Sequence, residues 1–227
     1  MNRFCSYSVI MSSFSGILSL DDVFNGEAKT LPSLNPQKLE LGTIEQKQLK
    51  TYVPTYYQPI FYSGEKLILQ TPAVHMLRLS YHTYSVGDAI LVPISKWLRQ
   101  QFRIIDSFLC DAVVVPDPLL AKCPNQINPY KSIQHGEKIY LIMKDTCFIT
   151  QETEDGIVRL SALSLPPMSE GLYSFTIEFT HVYFGRHNYN ALYSVNYRIT
   201  DIHFKPKTAT PKEDENCDST PASDNVL

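Results

Sequence analysis

Two late runs of alternating residues constrain this chain more than anything else in it. Over residues 172–184, Tyr173, Phe175, Ile177 and Phe179 fall at every second position, and Tyr193, Val195, Tyr197 and Ile199 repeat the pattern on the way back. A period of two sends alternate side chains to opposite faces of an extended strand, so each run predicts a strand with one apolar face. Joined by the short stretch around Gly185, the two predict a long hairpin. Such a hairpin has to bury its apolar face against further strands or a helix.

Earlier segments offer both. Residues 58–62 and 66–71 are β-rich and flank Ser63, Gly64 and Glu65, which predicts a second hairpin, and Pro72 ends it because proline has no N–H for a ladder. Further strands are expected over 76–81, 89–92, 138–144, 146–151 and 157–163, with a turn at Glu154, Asp155 and Gly156. The period changes once. Ile94, Leu98, Phe102, Ile105 and Leu109 recur at helical spacing, flanked by Trp97 and Phe108, while Lys96, Arg99 and Arg103 share the opposite face. With one helix and no alternation of strands and helices, the expected fold is mainly β, a small antiparallel barrel with one amphipathic α-helix and extra hairpins. Residues 1–50 read as an irregular N-terminal segment with one weak strand or helix, 51–204 as the barrel domain, and 205–227 as an acidic disordered tail.

Composition narrows the chemistry. There are 14 Tyr and 11 Phe against one Trp, which suits strands and also suits surfaces that grip a flat ligand. Only 9 glycines are present, few for phosphate-cradling loops. The net charge of −3 is unevenly spread: Glu213, Asp214, Glu215, Asp218 and Asp224 follow the last lysine, and without them 20 basic residues face 18 acidic ones. Five cysteines with no paired spacing predict reduced thiols, and no run is apolar enough for a signal peptide or a membrane span, so the expected setting is intracellular, with no membrane partner. No nucleophile elbow, Walker loop, dinucleotide fingerprint or zinc-binding spacing occurs, and the six histidines do not group with cysteines. The chain is therefore expected not to be an enzyme and to need no metal or cofactor.

What is left is a set of cations beside rings. Lys96, Arg99 and Arg103 with Trp97 form either a phosphate-tracking row or a solvated helix face with a buried indole. Tyr183, Phe184, Gly185, Arg186, His187, Asn188 and Tyr189 put rings and cations at the expected hairpin tip, where aromatic planes and positive charge suit stacking on single-stranded bases. A second cluster, Tyr52, Tyr56, Tyr57, Phe61, Tyr62 and Lys66, is either a similar patch or the first strand of the barrel.

The stretches SGEKLILQTP, ISKWLRQQFRIID and VYFGRHNYNALYSVNYRITDI, within residues 52–204, resemble the single-stranded-DNA-binding proteins of nucleocytoplasmic large DNA viruses. Those are OB-fold proteins similar in organisation to the acidic-tailed phage single-stranded-DNA-binding proteins, although this chain ends Asp224-Asn225-Val226-Leu227 rather than in an acidic-aromatic terminus. The resemblance implies an OB-like barrel and sequence-independent binding and protection of single-stranded DNA, or RNA, during viral replication or recombination. It places the protein in the host cytoplasm or nucleus, with replication proteins as partners of the tail and homo-oligomers as an option. On that picture the binding residues are Lys66, Arg78, Tyr81, Lys96, Arg99, Arg103, Tyr183, Arg186, His187 and Tyr189. The competing expectation is a virion structural or scaffolding protein, in which the same rings sit at subunit contacts.

Overall fold

A computed structural model describes residues 33–47, 55–77, 81–84, 87–117, 133, 137–153, 156–161, 170–187 and 190–207. Among these residues the fold is mainly β with one α-helix, and its frame is the expected late hairpin, longer at both ends than the sequence pattern. Strand β10 (Gly171–His187) and β11 (Asn190–Pro206) pair from Gly171–Pro206 to His187–Asn190, so only residues 188 and 189 separate them. The turn-like composition after Pro206 is thus preceded by two more residues of strand than expected.

The other edge of β10 is tiled by one pass of the chain. Strand β3 (Thr55–Tyr62) pairs with residues 181–184, β4 (Glu65–Gln70) with 176–179 and β5 (Val74–Met76) with 171–173, all antiparallel. Between β3 and β4 the chain leaves β10 and turns tightly at Ser63 and Gly64, both with positive φ, pairing Phe61 with Lys66 and Tyr62 with Glu65. The predicted hairpin is therefore a short arm extruded from an otherwise continuous partner of β10. Strand β1 (Leu39–Leu41) pairs with the arm at Ile60 to Tyr62, and β2 (Glu45–Lys47) pairs with the start of β3.

On the far side of β11 lies β8 (Lys138–Thr153), one bent strand where the sequence suggested two. Residues 144–147 of β8 stand against the single residue Thr200 of β11, which makes the bend. The first half of β8 pairs with β7 (Gly87–Pro93), which pairs with β6 (Tyr81–Tyr84); the second half pairs with β9 (Gly156–Ser161). Of the expected strand over 76–81, Met76 closes β5 and Tyr81 opens β6, while residues 78–80 lie outside the described residues. The expectation of a wholly antiparallel sheet is corrected as well, because β8 and β11 run parallel. Parallel neighbours need a long crossover. Here β9 and β10 lie in that connection, so the sequence pattern of strands did not reveal it. The pairing path runs β1-β3-β4-β10-β11-β8-β7-β6 and the end strands do not pair, so the sheet is mixed and open.

Two one-residue bulges interrupt the β10–β11 ladder. Thr200 is extra between the Thr176–Asp201 and Ile177–Ile199 pairs, and Thr180 is extra between Phe179–Tyr197 and His181–Asn196. Each bulge exchanges the faces of the strand beyond it. Hence the core side reads Tyr173, Phe175, Ile177 and Phe179, then Val182 and Phe184, all at most 1% exposed. The threonine hydroxyls bridge the gaps, Thr180 Oγ1 donating to Asn196 O at 3.3 Å and Thr200 Oγ1 to Thr176 O at 3.4 Å.

The helix α1 (Lys96–Ala112) covers the core side. Ser95 caps it by accepting from Leu98 N at 3.1 Å, a contact worth about 1 kcal/mol. Its expected stripe, Leu98, Phe102, Ile105 and Leu109, is buried, and the Phe102 ring stands 6.2 Å from Phe179 and 6.1 Å from Tyr197. Gln101, a buried amide in that stripe, accepts from Leu34 N at 2.7 Å and donates to Trp97 O, fastening the segment before β1 onto the helix.

Candidate nucleic-acid interface

The sheet face turned away from α1 is polar, and the bulges decide what it carries. On β10 it presents Thr176 and Glu178, then His181 and Tyr183; on β11 it presents Arg198, Asp201 and His203. Glu178 is at its centre and is 5% exposed. Lys66, from the extruded arm, bonds its Oε1 at 3.0 Å, and Lys144, from the bend in β8, bonds Oε2 at 2.7 Å. Burial alone would push the Glu178 carboxyl up, but the hydrogen bonds and charges of Lys144 and Lys66 outweigh it and hold it below the usual carboxylate range. Arg198 faces Glu178 directly across the ladder, so three cations share this patch with one acid.

Rings adjoin the patch on the side of the hairpin turn. Tyr57 of β3 lies edge-to-face with His181, centroids 4.8 Å apart, and with Tyr183, at 5.6 Å. The Tyr183 ring lies over Gly185, where any side chain would collide with it. Burial, with Tyr57 nearby, raises the Tyr183 hydroxyl above its ordinary pKa, so it stays a neutral donor. All three rings remain partly exposed.

A third group lies toward β8 and β9. Asp201 accepts from Thr150 Oγ1 at 3.0 Å and pairs with Arg159 Nη2 at 3.2 Å, and the Arg159 guanidinium sits 4.1 Å over the exposed Phe148 ring. His203 Nε2 lies 3.3 Å from Thr176 Oγ1. Burial, helped by the Arg159 charge and opposed by Asp201, lowers the His203 pKa below its ordinary value, so the ring is held neutral. Cys147, buried beside the β8 bend, is pushed up to about 12 by burial and by Asp201 and is not a nucleophile at neutral pH. Among the described residues no three His, Cys, Asp or Glu side chains are grouped to hold a metal.

The residues expected from the sequence divide between two sides of the sheet. Lys66 and Tyr183 are on the polar face. Lys96, Arg99 and Arg103 are on α1, which packs on the opposite face, with Lys96 and Arg103 exposed. Trp97 packs partly against the core, as the plainer reading of that helix has it. The expected tip is smaller than its composition suggested. Phe184 and Gly185 are buried within the ladder, because pairing continues to His187. Arg186 and His187 are the last residues of β10 and Tyr81 opens β6, while Arg78 and Tyr189 lie outside the described residues. Tyr56, Tyr57, Phe61 and Tyr62 belong to β3, with Tyr56 buried. Sequence reasoning had Tyr57 only in its second candidate cluster, and it passed over Lys144, Phe148, Arg159 and Arg198. Only the pairing of β8 with β9 and β11 brings the last four to one face.

No known protein family matches this chain, and neither does any curated protein or any solved structure.

Proposed function

We propose that the protein binds single-stranded DNA, without sequence preference, along the face of its sheet opposite α1. The observation that supports this is the placement of the Tyr57–His181–Tyr183 rings beside a patch where Lys66, Lys144 and Arg198 outnumber Glu178. A sequence-tolerant single-strand binder combines these same parts, cations that follow the phosphates and ring planes that take the bases. The fold reading that accompanies it is an OB-like barrel left unzipped. The bulges at Thr180 and Thr200 and the irregularity at 144–147 fall on the three long strands, where bulges let a barrel wall bend, and α1 packs on their apolar side. The acidic residues after Lys212, outside the described residues, act on this reading as a competing polyanion or as a handle for replication proteins.

The test is fluorescence anisotropy with labelled dT30 at several salt concentrations, with rU30 and a duplex as companions. Expected is single-strand binding with a site size of ~4–16 nucleotides and a steep loss of affinity with salt. An absence of binding to dT30 at low salt ends the reading. Preference for rU30 moves it to RNA.

One feature favours the scaffolding alternative: Ile157 and Val158 of β9 are 62% and 42% exposed on a strand whose only partner among the described residues is β8. Concentration-driven assembly in light scattering, insensitive to oligonucleotide, would favour that alternative over DNA binding.

A further inference from the structure

Glu178 occupies an expensive position. A carboxylate withdrawn from water loses several kcal/mol of hydration, and even a well-paired one commonly stabilises a fold no better than apolar side chains of equal volume. Stability alone is therefore a poor account of it. Its geometry suggests another. Lys66 arrives from the extruded arm and Lys144 from the bend in β8, two segments that do not pair with each other, and each bonds a different oxygen of the one carboxylate. Two ammonium groups on long flexible stems would otherwise repel and disperse.

We propose that Glu178 is a positioning residue, which holds Lys66 and Lys144 side by side so that one phosphate of a bound strand engages both. This rests on the nucleic-acid reading above and adds which cations take the backbone and why they are ready for it. Each ammonium has three donors, and the side chains of Lys66 and Lys144 are 69% and 38% exposed, so both keep donors for an incoming anion after bonding Glu178. The two lysines already outweigh the one carboxylate, and Arg198 across the ladder adds a further positive charge. The two lysines are ordered when the protein folds, and the cost of ordering them is not charged to binding.

The decisive variant is Glu178→Gln, which keeps the side-chain shape and removes the charge. Binding of dT30 is expected to weaken about three- to tenfold, the cost of ordering a long side chain or two on binding, although the protein has become one unit more positive. The magnitude of the salt slope should fall by about 0.7 for each phosphate the lysines no longer engage. A simple tally of charge requires the opposite sign, so unchanged or tighter binding overturns the proposal. Weaker binding with an unchanged slope also overturns it, since that marks a role in the fold alone. Should Glu178→Gln fail to melt cooperatively, Glu178→Asp retains the charge but draws the carboxylate back by one methylene. It should lose affinity at constant net charge, and wild-type affinity in that variant refutes the idea. A wild-type protein that does not bind dT30 at all instead defeats the underlying reading.

Discussion

Aromatic rings lie on both faces of the sheet around β10, and the two faces use them differently. On the side of α1, Tyr173, Phe175, Phe179 and Phe184 are at most 1% exposed and pack on one another and on Phe102. Burial drives the hydroxyls of Tyr173 and Tyr197 up to about 12, with Asp106 adding to the effect at Tyr197. On the opposite side Tyr57 and Tyr183 keep part of their surface in water and share that face with Lys66, Lys144 and Arg198. Ring type does not separate these roles. Strand parity does, and parity is reset at Thr180 and again at Thr200.

The largest expected effect comes from attacking parity itself. One alanine inserted between Ile177 and Glu178, in a regular part of β10, shifts the alternation by one and sends Phe179, Val182 and Phe184 to the polar face. Exposing three apolar side chains at about 2–3 kcal/mol each should cost on the order of 7 kcal/mol, read as a collapse of the urea midpoint. Deleting Thr180, by contrast, leaves Phe179, His181, Val182, Tyr183 and Phe184 in plain alternation on the faces they already have, so it should cost far less, and equal losses in the two variants would mean that the faces are not set by parity. Next, Tyr183→Ala should reduce dT30 affinity by about 1–3 kcal/mol and leave the melting temperature within a few degrees. Its core counterpart Phe179→Ala should do the reverse, and equal losses of stability in both would erase the contrast between the faces.

Acid should act on the polar face before it reaches the core. The folded-state pKa of His203 lies below its ordinary ~6.5, so the stability it contributes is present above that value and is lost as pH falls and the buried ring must take a proton. Glu178 is likewise depressed, so its contribution is present above ~4.3 and is lost as pH falls through its folded value. Melting temperature should therefore begin to drop below about pH 6.5 and drop further in the carboxylate range. His203→Gln should abolish the first decline and keep the second. The smallest effect is expected from Lys96→Ala and Arg103→Ala. These exposed cations sit on the helix side, so dT30 affinity should change less than about twofold, within the range of long-range screened charge. A loss as large as that of Tyr183→Ala would move the binding surface to the helix.

Much of this frame was legible in the chain. The period of two in residues 172–179 and 193–199 gives the hairpin and its core side, and the helical stripe from Leu98 to Leu109 gives α1. Ser63-Gly64 gives the turn of the arm. The bulges left a trace as well. Apolar spacing widens from two to three between Phe179 and Val182, and again between Ile199 and Ile202, each time across a threonine. Read with that rule, the sequence assigns His181 and Tyr183 to the polar face. The rest of the site was not readable, because it depends on which strands become neighbours. Lys66, Lys144 and Glu178 are far apart in the chain, and nothing local announces that β8 runs parallel to β11. The helix cations misled for the opposite reason: a charged helix face is conspicuous in sequence whichever side of a sheet it ends on.

The tiling of β10 also dictates the order in which the molecule can be made. Strands β3, β4 and β5 find their partner about a hundred residues later, and β8 finds β11 about fifty residues later. The β10–β11 hairpin is the large element that closes locally, and residues 171–206 are synthesised after nearly everything that docks on them. Until they emerge, the earlier strands have unpaired edges and exposed apolar faces. Folding should be slow, as for other chains dominated by distant contacts, and should be limited by the appearance of this one hairpin. Supplied in trans, residues 171–206 are the piece most able to rescue a chain stopped at 170.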